Sequence, residues 1–238
     1  RGAEPSREAA LLPTAADQPQ SDLYVVSTSD GPPKAITQDG AYESCPRWSP
    51  DGTMIAFHTN AGGANRIWVA RADGTLLHRS RAADEQSYPV WAPNTGSVAA
   101  ANQQRSEIDF YNVAPDGGLT KREGLADMPR GFVPTGWSPD GSQIAGTAAG
   151  ALWFYQVASR TFDRLMPGSQ PTWLSRGRRL IFASEGRLIL LDVPSRYMRE
   201  ILAVPDVYLD SPILSADDRQ LYFSRNVPES NLWLATLR

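Results

Sequence analysis

The sequence contains very little cysteine and histidine: one cysteine, Cys45, and two histidines, His58 and His78. A single cysteine excludes an internal disulfide, and these residues do not have the spacing of a zinc motif. Cys45 is interpreted as a small side chain that is buried or half-buried. We therefore predict no metal site and no cofactor.

Long apolar runs and an excess of basic charge are also missing. No stretch approaches the roughly 18 apolar residues of a membrane-spanning helix, so no direct membrane insertion is predicted. The formal net charge is −3 at pH 7, whereas nucleic-acid-binding domains usually carry a clustered basic face, so no nucleic-acid partner is predicted. Residues 1–20 lack the apolar core of a signal peptide and the first residue is Arg1. We interpret the chain as a processed piece of a longer protein.

What the sequence does have is a tryptophan-centred repeat. Three copies are close to Trp-Ser-Pro-Asp-Gly and two are weaker, and they recur every 36 to 46 residues: Trp48–Gly52, Trp91–Gly96, Trp137–Gly141, Trp173–Gly177 and Ile213–Asp218. A period of about 40 to 45 residues is typical of a four-stranded propeller blade.

Two further landmarks run in phase with this motif. The first is an aromatic residue in a short apolar segment, with one aliphatic exception: Tyr24, Trp68, Tyr111, Trp153, Ile189 and Trp233. The second is a proline just before each motif: Pro46, Pro89, Pro134, Pro171 and Pro212. Three series with one period indicate a structural repeat rather than a chance match.

The residue types explain what each part of the repeat forms. Proline, aspartate and glycine in the motif favour a tight turn between two strands, and the apolar runs that follow are β-prone. A blade cannot bury both faces alone, so we expect the tryptophans to pack between neighbouring sheets. The prediction is an all-β propeller of about six four-stranded blades in a single domain, residues 1–238, with a poorly defined segment at 1–7.

Four whole blades are predicted to begin near residues 44, 87, 132 and 169. The first blade is partial and includes a second strand at Ala9–Leu12, and the last blade, which starts near Pro212, lacks an outer strand. A longer parent protein would allow a seventh blade.

The proline, the Trp-Ser-Pro-Asp-Gly motif, the apolar run and the aromatic strand together resemble the TolB-type β-propeller repeat family, which is WD40-like, over about residues 8–238. The resemblance implies a propeller with binding functions, found in periplasmic partner proteins and as the sensor end of bacterial receptor kinases and transcriptional regulators. It therefore implies a bacterial, periplasmic or extracytoplasmic protein with a protein or peptide partner. Fusion to a kinase or DNA-binding domain upstream is a further expectation.

The same repeat also builds the propeller of prolyl oligopeptidase-type peptidases. No Gly-x-Ser-x-Gly nucleophile elbow is present in this sequence, so such a protein would carry its catalytic domain outside this chain. This remains the alternative to a non-enzymatic binding or sensor propeller.

Candidate catalytic groups are few, and we predict no catalytic residues. The two histidines are interpreted as polar strand residues. The carboxylate pairs Asp84–Glu85 and Asp217–Asp218 lie in turns, where acidic residues are common, and they leave carboxylate chemistry as a weaker third option. The basic cluster at residues 176–179 lacks interleaved aromatic residues and is interpreted as surface charge.

If binding is the function, the segments leading into the first strand of each blade are the expected site, because they ring one mouth of a propeller channel. They carry a mixture of aromatic, basic and acidic residues that suits recognition: Glu43, Tyr88, Arg130, Phe132, Gln170, Tyr208 and Asp210.

Overall fold

The computed structural model describes residues 7–13, 21–27, 32–75, 77–80, 85–93, 96–125, 127–204, 207–215, 217–226 and 231–236. For residues 7–13, 77–79, 226 and 231–236 only the backbone is described. The chain divides into two compact units, Arg1–Met128 and Pro129–Arg238, and each is treated by itself.

The first unit contains three antiparallel sheets whose strands pair in chain order. Their bounds are β1 Arg7–Pro13, β2 Ser21–Ser27 and β3 Lys34–Ala35; β4 Glu43–Trp48, β5 Met54–Thr59, β6 Arg66–Arg71 and β7 Leu77–Arg79; and β8 Ser87–Trp91, β9 Ser97–Asn102, β10 Glu107–Val113 and β11 Leu119–Leu125.

The second unit contains three more sheets built in the same way. Their bounds are β12 Val133–Trp137, β13 Gln143–Ala148, β14 Ala151–Gln156 and β15 Thr161–Pro167; β16 Ser169–Trp173, β17 Arg179–Ser184, β18 Arg187–Asp192 and β19 Met198–Ala203; and β20 Tyr208–Leu214, β21 Gln220–Asn226 and β22 Asn231–Thr236.

The all-β prediction is confirmed for the described residues, in which no helix is present and no segment is a candidate for a membrane-spanning helix. The predicted four-stranded sheet is found four times. The first and last sheets have three described strands each, so the expectation of about six four-stranded blades holds only in part. The predicted second strand at Ala9–Leu12 is confirmed as β1.

The tryptophans of the first unit pack between neighbouring sheets, as the repeat predicts. Trp48 and Trp68 lie against a cluster that combines Leu23 of the first sheet with Phe57 of the second. Trp91 lies against the next cluster, which joins the second and third sheets. In the first unit, the second sheet thus covers one face of the first sheet, and the third sheet covers one face of the second.

The same contact recurs in the second unit, where Trp173 stacks on Phe154 of the preceding sheet with ring centroids 5.6 Å apart. The indole N–H of Trp173 also donates to the backbone oxygen of Gly136, at 3.2 Å. In the first unit Trp91 donates to the oxygen of Arg47, at 2.9 Å. Both acceptors immediately precede the tryptophan of the previous sheet, so the repeat fixes the position of one sheet against the next. The side chain of Trp233 lies outside the described residues.

The Ser-Pro-Asp-Gly segment forms the predicted turn, closed by its aspartate. Asp140 Oδ1 accepts hydrogen bonds from Ser138 Oγ at 2.6 Å and from Ser142 Oγ at 2.7 Å and N at 3.0 Å. Asp51 repeats this arrangement with its own flanking serine and threonine. The bond from Ser138 is the main cause that lowers the pKa of Asp140 from 3.8 to about 2. These aspartates act as turn residues, in agreement with the sequence interpretation.

Substitution of Asp140 by alanine is expected to lower the free energy of unfolding by about 1 kcal/mol at pH 7, because a partly exposed turn loses its charged acceptor. The pKa of Asp140 is depressed in the fold, so its contribution is present above pH 3.8 and is lost as the pH falls towards 2. Urea unfolding of both proteins at pH 7 and pH 2.5 measures this. Asp116→Ala, which removes the acceptor of one turn bond, is the milder control, and an equal effect at both pH values would contradict the assignment.

Candidate functional site

The same irregularity occurs in the first strand of the second to sixth sheets, which are β4, β8, β12, β16 and β20. The pairing of β4 with the second strand of its sheet shifts by one residue between Ser44 and Arg47, and equivalent shifts occur in the other four strands. An extra residue of this kind is a β-bulge, which bends the strand and re-aims a side chain. The structure therefore builds one re-aimed position into each first strand.

In four of these strands the bulge contains a non-glycine residue with positive φ, directly before the proline of the repeat. These bulge residues are Cys45 (φ 52°), Tyr88 (57°), Gln170 (49°) and Ser211 (51°). For residues with a Cβ this conformation costs about 1 to 2 kcal/mol. Such strain persists only where the surroundings impose it, and it clusters at functional sites. In β12 the shift lies between Pro134 and Gly136, without a positive φ at either residue.

Side chains of the preceding sheet hold two of the bulge residues in place. The backbone N–H of Tyr88 donates to Nδ1 of His58, at 3.3 Å, and the N–H of Gln170 donates to Oγ1 of Thr147, at 3.0 Å. His58 and Thr147 occupy equivalent places in β5 and β13, paired with Ser44 and with the first residue of β12. In these two strands the backbone N–H of the bulge residue therefore has its own hydrogen-bond acceptor on the preceding sheet.

In the first unit the bulge residues lie among aromatic side chains. The rings of Tyr88 and His58 meet edge to face with centroids 5.3 Å apart. Burial raises the pKa of Tyr88, and the nearby Cys45 and Tyr42 raise it further. Tyr42 is 41% exposed. We call Tyr42, Cys45 and Tyr88 the tyrosine–cysteine patch.

Arg47 follows the bulge of β4 and adds a positive charge to this region. Its guanidinium donates to the oxygen of Pro46 at 3.0 Å. Burial lowers the pKa of Arg47, and Cys45 counteracts this shift. Arginine and tyrosine are both enriched among the residues that dominate many protein interfaces.

Glu43, the first predicted site residue, is fully buried. Its carboxylate accepts hydrogen bonds from the hydroxyls of Thr59 at 2.8 Å and Thr37 at 3.1 Å, and its backbone oxygen accepts one from Ser21. Burial raises the pKa of Glu43, and these two threonines oppose the shift. The Glu43 side chain therefore links Thr37, which follows β3 of the first sheet, to Thr59 of the second sheet.

In the second unit three predicted residues come together. Gln170 Nε2 donates to Asp210 Oδ2 at 3.2 Å, which links the first strands of two neighbouring sheets. Tyr208 lies two residues before Asp210, on the same side of β20, and is 72% exposed. An amide, a carboxylate and an exposed phenol are thus presented side by side. We call them the Gln170 cluster.

The two remaining predicted residues lie apart from this cluster in the second unit. Arg130 is exposed at the tip of a turn in which the N–H of Phe132 bonds to the oxygen of Pro129. Phe132 is fully buried and meets Phe162 edge to face, with centroids 5.3 Å apart. Its ring belongs to the core.

The set chosen from sequence therefore mixes three structural positions. Glu43 and Phe132 precede the bulge and are buried, whereas Tyr88 and Gln170 are the bulge residues themselves. The other three precede the bulge without being buried: Arg130, Tyr208 and Asp210. Sequence reasoning missed Cys45, Ser211 and the supporting His58. The signal was the proline series, because a residue before proline at a strand shift marks the bulge.

The catalytic candidates show structural contacts. His58 is buried and its Nδ1 is occupied by Tyr88 N–H. Asp217 accepts bonds from Ser215 and Arg219 within its own turn, and Asp218 accepts from the N–H and hydroxyl of Ser175. Asp84 and the side chain of His78 lie outside the described residues.

No protein-family model matches the chain. A Bacillus subtilis (strain 168) protein named uncharacterized peptidase YuxL is 24% identical over 198 residues, which cover 78% of this chain and 30% of that protein. The protein TolB homolog of Chlorobium luteolum is 26% identical over 129 residues, 54% of this chain and 29% of that protein. The chain thus spans less than a third of the length of either relative.

Two solved structures share the arrangement of strands. The crystal structure of TolB from Acinetobacter baumannii matches 97% of this chain and 61% of that chain, with a TM-score of 0.74 and 14% identity. The crystal structure of the mitotic checkpoint complex matches 98% of this chain and 73% of that chain, with a TM-score of 0.68 and 14% identity. At this identity the likeness concerns the fold alone.

Proposed function

The chain has the fold of a TolB-type, WD40-like β-propeller, and from this fold we propose that it is a non-enzymatic domain that binds a protein or peptide partner. In the first unit the proposed contact residues are the tyrosine–cysteine patch with Arg47. In the second unit they are the Gln170 cluster. The six sheets form a single propeller domain, and the domain acts outside the cytoplasm as a binding or sensor module.

One observation carries this proposal: the strained bulge that recurs in four first strands with a different side chain each time. A glycine at the same place would avoid the cost of this strain, so the side chains kept there support a functional role. The side chains presented there and beside them include Tyr88, Tyr42 and Tyr208. Tyrosine supplies large contact area at a low cost in side-chain entropy, and it is enriched at interface hot spots.

The proposal is tested by selecting binders from a displayed library of random twelve-residue peptides on the immobilised chain. We expect Tyr208→Ala, Tyr42→Ala or Tyr88→Ala to weaken a selected peptide about tenfold, the usual cost of truncating an interface tyrosine. Fluorescence anisotropy of the labelled peptide measures the dissociation constant.

Tyr197→Ala is the matched control, because Tyr197 is also an exposed tyrosine, at 63%, but lies in the turn before β19, outside these contact residues. Its substitution should leave unchanged the affinity of a peptide that the three tyrosine substitutions weaken. Unaltered thermal unfolding of each variant shows that the fold is intact. Selected peptides whose affinity none of the three tyrosine substitutions changes would overturn the proposed contact surface.

A second candidate function is favoured by the similarity to a protein named as a peptidase, which covers 78% of this chain. In that case the propeller would belong to a prolyl oligopeptidase-type hydrolase and screen its catalytic domain. The flanking sequence of the parent gene decides between the two: an α/β-hydrolase segment with a Gly-x-Ser-x-Gly elbow establishes the hydrolase. A kinase or DNA-binding segment establishes the sensor.

A further inference from the structure

A groove of about 390 Å³ lies on the outer strands of the sheet β16–β19, within the second unit. It is lined by Arg179, Leu190, Asp192, Ser195, Tyr197 and Arg199. None of these residues belongs to the first strand of the sheet, so the groove is separate from the binding surface proposed above.

The pairing of the strands places the lining residues on one face. Arg179 pairs with Asp192 across β17 and β18, and Leu190 pairs with Arg199 across β18 and β19. Directly paired residues share a face of the sheet, as do residues two apart in one strand. The turn that closes the groove is fixed by Asp192 Oδ1, which accepts the hydroxyl of Ser195 at 2.5 Å and its N–H at 3.1 Å.

The groove lies in the most basic part of an otherwise acidic chain. Residues 176–199 contain six arginines and two acidic residues, while the whole chain has a net charge of −3. Two nearby arginines have counter-ions: Arg178 lies 3.8 Å from Asp140 and Arg187 lies 3.3 Å from Glu200. Within the part of the chain that the structure describes, no carboxylate lies within 4 Å of Arg179 or Arg199. Asp192, the strand partner of Arg179, is the acidic group of the groove; its pKa is lowered mainly by hydrogen bonds from Ser195 and also by the charge of Arg179.

An exposed aromatic ring adjoins these two charges. Tyr197 is 63% exposed and lines the same groove as Arg179 and Arg199. Aromatic rings and arginine are among the side chains enriched in protein interfaces. Charge and apolar area together therefore favour a polypeptide over a simple anion.

We propose that this groove binds an extended acidic segment of a partner protein, with its carboxylates on Arg179 and Arg199 and an apolar side chain against Tyr197. Arg179 and Arg199 lie two strand spacings apart, about 10 Å, and are staggered by two residues, about 7 Å, along the strands, so about 12 Å separates them. Same-side residues of an extended peptide are about 7 Å apart, or about 14 Å for every second one. Two acidic side chains four residues apart, with one apolar side chain between them, therefore reach both guanidinium groups. Arginine binds each carboxylate through two parallel hydrogen bonds.

The probe is a fluorescein-labelled nine-residue peptide in which glutamate, phenylalanine and glutamate stand at every second position with serine elsewhere, so that all three side chains face the same side of an extended segment. Its binding to the full chain is measured by anisotropy. The same peptide with glutamine in place of glutamate is its control. We expect the double variant Arg179→Glu/Arg199→Glu to raise the dissociation constant of the acidic peptide at least tenfold. Tyr197→Ala should raise it several-fold, and the glutamine peptide should bind at least tenfold more weakly than the acidic one.

The matched control is Arg122→Glu/Arg164→Glu, which changes the net charge equally at exposed arginines on the outer strands β11 and β15. It should leave the affinity within twofold. An equal loss in both double variants shows non-specific charge attraction and overturns the proposal, as does no binding of the acidic peptide at millimolar concentration. Competition by inorganic phosphate at the peptide's own concentration identifies a small-anion site and also overturns it. Tyr208→Ala should have no effect, which separates this result from the fate of the proposed function.

Discussion

Gly146→Ala should destabilise the protein by about 3 kcal/mol, the upper end for overpacking a core. Gly146 lies in β13, and a Cβ there would meet two ring carbons of Phe132 at 2.4 Å and the backbone oxygen of Val133 at 2.5 Å. The fold holds both groups in place: the Phe132 ring is fully buried, and the Val133 carbonyl belongs to the neighbouring strand β12. Neither can move without disturbing the first strand.

Gly136→Ala is the control for this substitution. Gly136 lies in the paired strand β12, and its added Cβ would have only one neighbour, a Trp173 ring carbon at an ordinary 3.7 Å. We expect its effect to be small, because alanine also reduces the entropy of the unfolded chain. Urea unfolding at pH 7 measures both free energies. A Gly146→Ala variant as stable as Gly136→Ala would show that Phe132 is not packed as described.

The second large effect concerns the pH dependence of stability. Burial lowers the pKa of His58 from 6.5 to about 4 in the folded protein. Between these values the unfolded chain binds a proton that the folded chain does not, so stability falls as the pH decreases from 6.5 to 4. The full loss is roughly 3 kcal/mol, because each pKa unit corresponds to about 1.36 kcal/mol. Above pH 6.5 the contribution is fully present.

Protonation of His58 also acts on the candidate site. The neutral imidazole accepts the N–H of Tyr88, but a protonated imidazole has no acceptor left. The bulge of β8 then loses its support, so the tyrosine–cysteine patch should loosen as the pH falls through about 4, where the folded protein takes up this proton.

The experiment compares the unfolding free energies of the natural chain and His58→Gln from pH 4 to pH 7. Glutamine retains an acceptor for Tyr88 N–H and does not titrate. The pH dependence of Glu43, whose raised pKa has the opposite sign, is common to both proteins and cancels in the difference. Parallel pH profiles for the two proteins would exclude His58 as the source of the effect.

The repeat made most of the fold predictable. The offset between Trp48 and Trp68 gave the first and third strands of a sheet, and both side chains pack where a two-sided sheet requires them. The Ser-Pro-Asp-Gly turns were predictable because their hydrogen bonds are local: Asp140 accepts from Ser138 and Ser142, each two positions away. Turn hydrogen bonds that recur at a fixed sequence period are compatible with few folds other than a repeat of similar sheets.

The burial of the candidate site residues was harder to predict from the sequence. Buried and exposed residues alternate along a strand, and a bulge shifts this alternation by one residue. The choice of Glu43 and Phe132 was based on their offset from the motif, but both fall on the buried side of the irregularity. Tyr88 and Gln170 fall on the bulge itself. The supporting His58 and Thr147 belong to the preceding sheet, and no spacing within one repeat reveals contacts to the repeat before it.

The four bulges also separate what keeps the scaffold stable from what it displays. Proline and the strand pairing define each bulge, while the residue before the proline is cysteine, tyrosine, glutamine or serine. A combinatorial library that randomises only positions 45, 88, 170 and 211 should therefore change recognition without repacking the interior.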